Sequence, residues 1–286
     1  MNRLDNEYSA FLRSQELYGD NSKHVLEVSC ATPLRKYIDP GRLRVRLDRV
    51  QEMKLTDAQG QYLGVVGQFT PEYLKWLNSN PWPRARVLVK GNGLKVKVEG
   101  TLAELILWEA PISIHLHDLY YVGIFTENEL NADMIVAEGT RRLLTKMDLL
   151  RNSGVRFTEA GTRYRYGFDW QSLVLQVLIG DGGELLLGTT NALIAMSYGL
   201  KPVAHGLTDS NLGAMLDTTS IGEIEGMLEE HPEFGPGSIV VRGINAFEMA
   251  HLHSHFGDVL SFEWGADLTA DMGPAGRSLP LSFSTT

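Results

Sequence analysis

The spacing of apolar residues predicts an irregular first part of the chain and a regular second part. In the first part, helical and alternating patterns follow one another without a fixed order, and two alternating runs meet at Gly91-Asn92-Gly93, which is typical of a hairpin. Thr70 and Pro71 are residue types that favour a helix cap and a first helical turn. The elements predicted here are a helix over 6–19, a strand over 23–31, a helix over 70–80, a hairpin over 84–100 and a helix from Leu102 to about Tyr121.

From about residue 128 onwards, strands and helices alternate with short connections. A long helix is predicted to end at Gly154, a residue type that is common just after a helix. The elements predicted after it are strands over 155–160, 184–190, 201–206, 238–243 and 258–265, and helices over 169–180, 191–199, 220–231 and 245–257. This alternation predicts about five parallel βα units, fewer than the eight of a full barrel. Residues 279–286 predict one further strand.

Composition narrows the classes of protein that fit the chain. It has 286 residues, of which 43% are hydrophobic, so a sizeable core can form. The formal net charge of -9 argues against general binding to nucleic acid or to a membrane surface. The single cysteine, Cys30, excludes a disulfide within the chain and indicates a reducing compartment. Because neither a secretion signal nor a membrane-spanning run is evident, we expect a cytoplasmic protein with no membrane or nucleic-acid partner.

The candidate chemistry begins at a junction between a predicted strand and a predicted helix, FTEAGTRYRYGFDW (157–170). Arg163 and Arg165 alternate there with Tyr164 and Tyr166. Helix N-termini attract anions, and arginines bind phosphate and carboxylate groups, so the junction predicts an anion site. The alternative is that both arginines form salt bridges at the surface or between domains. The tyrosines face the other way along an extended chain, and we expect them to pack between the layers of the fold.

Several short motifs, taken in order, resemble those of the nicotinate phosphoribosyltransferases. They are LWEAPI (107–112), FTEAGTRYR (157–165), GTTN (188–191) and LKPVAHG (200–206). The resemblance covers most of the chain and implies an α/β fold of the type II phosphoribosyltransferase kind. In that fold, an N-terminal α/β sandwich layer packs on an irregular, incomplete α/β barrel. The implied division is a layer over 1–118, joined by a strand over 278–286, and a barrel over 119–277.

The family's reaction implies ligands and partners for the chain. These enzymes join nicotinate to 5-phosphoribosyl pyrophosphate (PRPP) and release nicotinate mononucleotide and pyrophosphate, with help from ATP through a phosphorylated histidine. The resemblance implies Mg²⁺ as the cofactor if the chain is active, because carboxylates and phosphates bind this ion in such sites. Family members are usually dimers that share each site between subunits. We therefore expect a homodimer or a larger assembly, with a small nucleotide or anion as ligand.

Six residues match family positions that bind substrate. They are Tyr8, Arg163, Arg165, Gly188, Thr189 and Asn191. The resemblance places the two arginines on phosphate or carboxylate groups and the tyrosine on the pyridine ring bound by the partner subunit. It places the Gly188–Asn191 segment near the substrate, although capping of the next helix would explain that segment as well.

Other positions depart from the family's pattern. Ala160 stands where the family has a phenylalanine, and His205 lies three residues too early to match the phosphorylated histidine. Asp217 matches the acidic segment at the ribose and pyrophosphate, but the arginine, glycine and second aspartate of that segment are lost. Glu263 and Trp264 stand in the family's phosphate loop. Asp217 and His205 are the candidate catalytic residues, His205 only with a rebuilt loop, and a packed or solvent-facing histidine is the favoured alternative.

Two functional hypotheses follow from these matches and losses. The first is a phosphoribosyltransferase-like pseudoenzyme with a degenerate PRPP and phosphohistidine site and a binding or structural role, for example in a viral (phage) particle. The second is a minimal active enzyme that makes nicotinate mononucleotide for NAD biosynthesis without the phosphohistidine. The lost site residues favour the first hypothesis. Whether the chain is an enzyme stays open, because a fold does not by itself assign a function.

Histidines outside these motifs form two further groups. His251 and His255 share one face of a predicted helix and could bind metal, but a solvated face is favoured, so no metal site is predicted. His115, His117 and Asp118 are expected to line the subunit interface.

Overall fold

The structure is a computed structural model that describes residues 3–30, 36–67, 69–79, 82–163, 165–204, 214–216, 220–234, 239–242, 246–264 and 281–285. The helices are α1 (Tyr8–Glu16), α2 (Pro40–Gln51), α3 (Asp57–Val66), α4 (Pro71–Ser79), α5 (Leu102–Glu127), α6 (Ala132–Ser153), α7 (Gly167–Gly182), α8 (Ala192–Tyr198), α9 (Ile221–Glu230) and α10 (Ala246–Phe256). The strands are β1 (His24–Cys30), β2 (Ala85–Lys90), β3 (Gly93–Gly100), β4 (Phe157–Glu159), β5 (Leu186–Thr189), β6 (Ala214–Leu216), β7 (Ile239–Arg242), β8 (Leu260–Trp264) and β9 (Leu281–Thr285). None of these helices is both long enough and apolar enough to cross a membrane.

The first layer is an antiparallel sheet with helices packed on its apolar face. Its strand order is β2-β3-β1-β9, so the last described strand completes a sheet that the first hundred residues begin. Alternation along the strands separates the two faces: Val28 and Val96 pair on the buried face, whereas Lys95 and Lys97 point outward. Burial of that apolar face away from water makes the largest favourable contribution to the folding free energy of the layer.

Helix α5 is buried on most of its surface and begins at a capping box formed by Thr101 and Glu104. Pro111 lies inside it and has no N–H group, so the carbonyl of Leu107, four residues earlier, loses a helical hydrogen bond. Asn6 Nδ2 donates to that carbonyl at 3.0 Å. The Asn6 side chain therefore supplies the hydrogen bond that the Leu107 carbonyl loses to the proline.

The second layer is a parallel sheet that closes into an incomplete barrel. Its strand order is β5-β4-β8-β7-β6, and Thr189 of β5 forms one additional parallel bridge with Pro202. The second layer begins with β4 in the chain and ends with β8, and these two strands pair with each other. The strands therefore follow one another around a ring in chain order. The ring is open between Pro202 and β6 in the part of the chain that the structure describes. The α/β layer on an incomplete barrel was the predicted fold class, and this architecture confirms it.

Some elements differ from the sequence-based expectations. Helices α2 and α3 were not predicted, although Asp39 caps α2 and a capping box at Thr56 starts α3. Helix α5 continues past Tyr121 to Glu127, and Phe125 in this extension is buried in the core of the first layer. A strand was predicted over 201–206, but its described part makes only the single bridge to β5.

Candidate functional site

The N-terminal segment, residues 3–8, lies against the carboxyl ends of β4 and β5. Tyr8 N donates to Thr190 O at 2.8 Å, and Thr190 N donates to Glu159 O at 2.9 Å, so one hydrogen-bonded chain links the segment to both strands. Parallel α/β folds place their ligand sites at this edge, beyond the carboxyl ends of the strands. The N-terminal segment therefore occupies the part of the barrel where a ligand site is expected.

Arg165 is buried and bound by groups of its own chain. Its Nη1 and Nη2 donate to the two carboxylate oxygens of Asp5 at 2.7 and 2.5 Å, and Nη1 also donates to Gln171 Oε1 at 2.8 Å. Asn191 Nδ2 donates to Asp5 Oδ1 at 2.9 Å. Burial alone would raise the pKa of Asp5, but Arg165 and Asn191 hold it below its ordinary value. The Arg165 side chain is only 3% exposed, so its charge fastens the N-terminal segment to the barrel.

Arg163 meets two carboxylates. Its Nη2 donates to Glu7 Oε2 at 2.7 Å and to Glu109 Oε2 at 3.3 Å. The side chain of Glu7 is 3% exposed and that of Arg163 is 25% exposed, so solvent reaches part of the arginine side chain but hardly reaches its closer partner. Glu109 belongs to the LWEAPI motif of α5. With both carboxylates ionised, this group of three side chains carries a net charge of about -1.

Glu159 is a buried carboxylate at the end of β4 that accepts hydrogen bonds from neutral donors. These are Thr189 Oγ1 at 2.6 Å, Gly161 N at 2.7 Å and Gln171 Nε2 at 3.0 Å. Burial raises the pKa of Glu159, and the hydrogen bonds from Thr189 and Gln171 oppose that shift. The Glu159 carboxylate therefore links the end of β4 to Thr189 at the end of β5.

The Gly188–Asn191 segment connects β5 to α8. Gly188 has a φ of 151°, and a Cβ atom there would lie 2.3 Å from the carbonyl oxygen of Lys201, so only glycine fits. Asn191 Oδ1 accepts from Ile194 N at 3.0 Å and caps α8. Helix capping, the alternative weighed for this segment, therefore accounts for Asn191 Oδ1, while its amide nitrogen binds the N-terminal segment.

Tyr8 and Tyr166 both pack within the chain. The hydroxyl of Tyr8 donates to Val66 O at 3.1 Å, and its ring lies edge-on to Phe69 with the centroids 6.0 Å apart. Tyr166 packs edge-on against Phe125 at 4.7 Å and contacts the hydrophobic clusters of both layers. The position expected for Tyr166 between the layers matches these contacts. Stacking of Tyr8 on a ring bound by a partner subunit stays a prediction.

Three of the residues singled out in the sequence lie outside the described residues, namely Tyr164, His205 and Asp217. The catalytic roles expected for His205 and Asp217 stay predictions. Within the described part of the chain, no group of three or more His, Cys, Asp or Glu side chains is arranged to hold a metal ion. We therefore assign no step to Mg²⁺ from these residues.

The histidine-rich part of α5 is buried beside the arginine cluster. Asp118 Oδ1 accepts from Gly167 N at 3.0 Å, and its Oδ2 accepts from Arg46 Nη1 at 3.2 Å. Burial raises the pKa of Asp118 and lowers that of His117 to about 4. Burial, together with the positive charge of Arg46, lowers the pKa of His115 to about 3. Both imidazoles are thus uncharged at neutral pH, and their expected place at a subunit interface stays a prediction.

In the described part of the chain, clefts of about 630, 390 and 410 Å³ lie in the first layer, and neither Arg163 nor Arg165 lines them. The largest lies between α3 and α4, the second between α5 and residues 36–42, and the third beside Trp76 and residues 18–23. None of the predicted substrate-binding residues lines any of them.

The residues that the sequence analysis missed are the partners of the predicted ones. Asp5, Glu7, Glu159 and Gln171 complete the cluster, yet none was identified as part of the site. One signal was available for Glu159, which stands inside the FTEAGTRYR motif at the predicted end of a strand. The acids of the N-terminal segment gave no such signal, because the arginines they bind lie more than 150 positions later.

Curated proteins similar in sequence share one name. The chain is 27% identical over 166 residues to the nicotinate phosphoribosyltransferase of Chromohalobacter salexigens, which covers 57% of this chain and 41% of that protein. It is 26% identical over 201 residues to the enzyme of the same name from Cronobacter sakazakii, which covers 67% of this chain and 49% of that protein. The matched region thus spans less than half the length of either curated relative. No protein-family model matches the chain.

Solved structures with a similar fold carry the same name as these curated relatives. The nicotinate phosphoribosyltransferase of Porphyromonas gingivalis superposes with a TM-score of 0.82 over 99% of this chain and 89% of its own, at 18% identity. That of Vibrio cholerae superposes with a TM-score of 0.79 over 100% of this chain and 85% of its own, at 16% identity. Identities this low establish the fold alone. The resemblance that the motifs indicate is confirmed, since in sequence and in fold the chain is similar to nicotinate phosphoribosyltransferases.

Proposed function

We propose that this chain is a non-catalytic homologue of the nicotinate phosphoribosyltransferases, with a binding or structural role. The observation that carries the proposal is the bond between Arg163 and Glu7. Arg163 is the arginine that the resemblance assigns to a substrate phosphate or carboxylate, and here a carboxylate of the same chain holds it at 2.7 Å.

The local charge supports this proposal. A pyrophosphate or phosphate group binds where positive charge is in excess, as in bidentate arginine sites. Here Arg163 faces Glu7 and Glu109, and Arg165 is matched by Asp5, so the two arginines face three carboxylates. An entering anion would have to displace buried carboxylates and would meet net negative charge.

The alternative is a minimal active phosphoribosyltransferase that makes nicotinate mononucleotide from nicotinate and PRPP. The observation in its favour is that a quarter of the Arg163 side chain is exposed. In that case Glu7 would have to move aside when substrate enters, and Mg²⁺ would arrive with the pyrophosphate group. The pairing of both arginines within the chain makes this the second choice.

A product assay separates the two proposals. Purified protein is incubated with nicotinate, PRPP and Mg²⁺, with and without ATP, and nicotinate mononucleotide is sought by mass spectrometry. Calorimetric titration with PRPP is run in parallel. We expect no product and no saturable heat. Product that is lost in the Arg163→Ala variant would overturn the non-catalytic proposal and establish the minimal enzyme.

The assembly in which such a homologue would act is a separate proposal. We infer a homodimer or a larger assembly in the cytoplasm, with a place in a viral particle as one structural role. Light scattering coupled to size exclusion measures the mass directly. A monomer of 31.8 kDa at all concentrations would contradict the oligomeric part of the proposal.

A further inference from the structure

Helix α10 exposes two histidines on one face. Met249 and Leu252 are fully buried against the core of the second layer, which fixes the rotation of the helix. His251 and His255 are exposed and lie four residues apart, so both rings project from the outer face. Their ring centroids are 4.7 Å apart, with 70° between the ring planes.

A hydrogen bond sets the tautomer of one of these rings. His255 Nδ1 lies 3.0 Å from the carbonyl oxygen of His251. A carbonyl oxygen only accepts, so Nδ1 must carry the proton and donate it. In the neutral ring, Nε2 of His255 then carries the lone pair that can bind a metal ion. Metal-binding histidines commonly have this arrangement, in which one ring nitrogen donates to a backbone carbonyl and the other binds the ion.

We propose that His251 and His255 form a binding site for a divalent transition-metal ion, with water completing the coordination. Two histidines at positions i and i+4 of a helix lie on one face at a spacing that zinc enzymes use. Both histidines lie on the same helix. Once one imidazole has bound the ion, the other can therefore bind it without further ordering of the backbone. The proposal does not depend on the proposed function, since α10 lies outside the arginine cluster.

The ligand chemistry predicts which ions bind. Imidazole nitrogen favours Cu²⁺ over Ni²⁺ and Zn²⁺, following the usual order of stability for these ions. Mg²⁺ prefers oxygen ligands and holds its water tightly, so it should not compete at this site. With two protein ligands, the site is open and its affinity modest. This selectivity distinguishes the pair from any magnesium site that substrate phosphates would create.

The experiment titrates untagged protein with CuCl₂ and NiCl₂, followed by calorimetry and, for Cu²⁺, by electron paramagnetic resonance. We expect one saturable Cu²⁺ site per chain that shows nitrogen hyperfine coupling, and no displacement by excess Mg²⁺. His251→Asn and His255→Asn should each abolish this site. His253→Asn is the matched control, because His253 is half-buried on another side of the same helix and should leave binding intact.

Two results would overturn the proposal. The first is a Cu²⁺ titration that is the same in wild type and in both single variants, since the ion would then be bound elsewhere. The second is an equal loss of binding in His253→Asn. Circular dichroism on each variant confirms that the helix is retained, which we expect because His251 and His255 are exposed.

Discussion

Replacing Asp5 with asparagine keeps the shape of the side chain but leaves the buried guanidinium of Arg165 without its carboxylate. Removing one partner of a buried ion pair typically costs about 3–5 kcal/mol. Because Asp118 and Glu159 also attract Arg165, we expect the lower half of this range, about 3–4 kcal/mol. At about 2 °C per kcal/mol for a chain of this size, Tm should fall by about 6–8 °C.

The assay is a thermodynamic cycle measured by urea and thermal unfolding. It compares wild type, Asp5→Asn, Arg165→Met and the double variant. The double variant should lose less than the two single losses added together, because the opposite charges of Asp5 and Arg165 are removed together, and coupling between contacting residues is typically about 0.5–3 kcal/mol. Glu127→Gln is the control, since its bond to Lys36 is 3.1 Å long but both side chains are more than half exposed, and it should leave Tm unchanged.

Two outcomes would refute the reasoning about this ion pair. Asp5→Asn could unfold at the wild-type temperature, or the single losses could simply add in the double variant. Either result would mean that Asp5 and Arg165 do not fasten the N-terminal segment to the barrel.

Three further predictions follow from the same region. Glu7→Ala should lower stability because Arg163 loses its closer partner, and added acetate or phosphate should restore Tm more in the variant than in wild type, measured by thermal shift. Burial lowers the pKa of His115 to about 3 and that of His117 to about 4, both below the unfolded value. Their contribution to stability is therefore complete above about pH 6.5 and is lost as pH falls towards 3 for His115 and towards 4 for His117, by about 1.4 kcal/mol per pH unit for each histidine. His115→Leu should flatten an acid unfolding series. Gly188→Ala should destabilise by at least about 1–3 kcal/mol in urea unfolding because the new Cβ meets a backbone carbonyl, and a wild-type midpoint would disprove that clash.

Local sequence patterns were enough to predict helices whose ends are marked by a capping residue. Helix α6 is followed by Gly154 in the left-handed conformation, and Thr70 Oγ1 accepts a hydrogen bond from Tyr73 N at the start of α4, as the residue types indicate. Helix α2 carries a similar signal, with Asp39 before Pro40, but its apolar positions are separated by arginines, so its amphipathic pattern was missed. Prediction from sequence thus worked best where one cap and one apolar face agreed.

The partners of the arginines could not be predicted in the same way. Arg163 and Arg165 were identified as charged groups at a strand end, but their charge is neutralised by Glu7 and Asp5, which reach them through the topology of the fold. No periodicity in the N-terminal segment marks these acids. An anion site and an internal ion pair use the same arginine, and only the three-dimensional arrangement distinguishes them.

The pairing of β9 with β1 makes the first layer dependent on the order of synthesis. Leu281 pairs with Cys30, about 250 positions earlier, so one edge of β1 stays open while the whole barrel is being made. At about 5–20 residues per second, that interval is about 12 to 50 seconds on the ribosome. An open strand edge can recruit a neighbouring nascent chain, and chaperone protection would be most valuable during that delay.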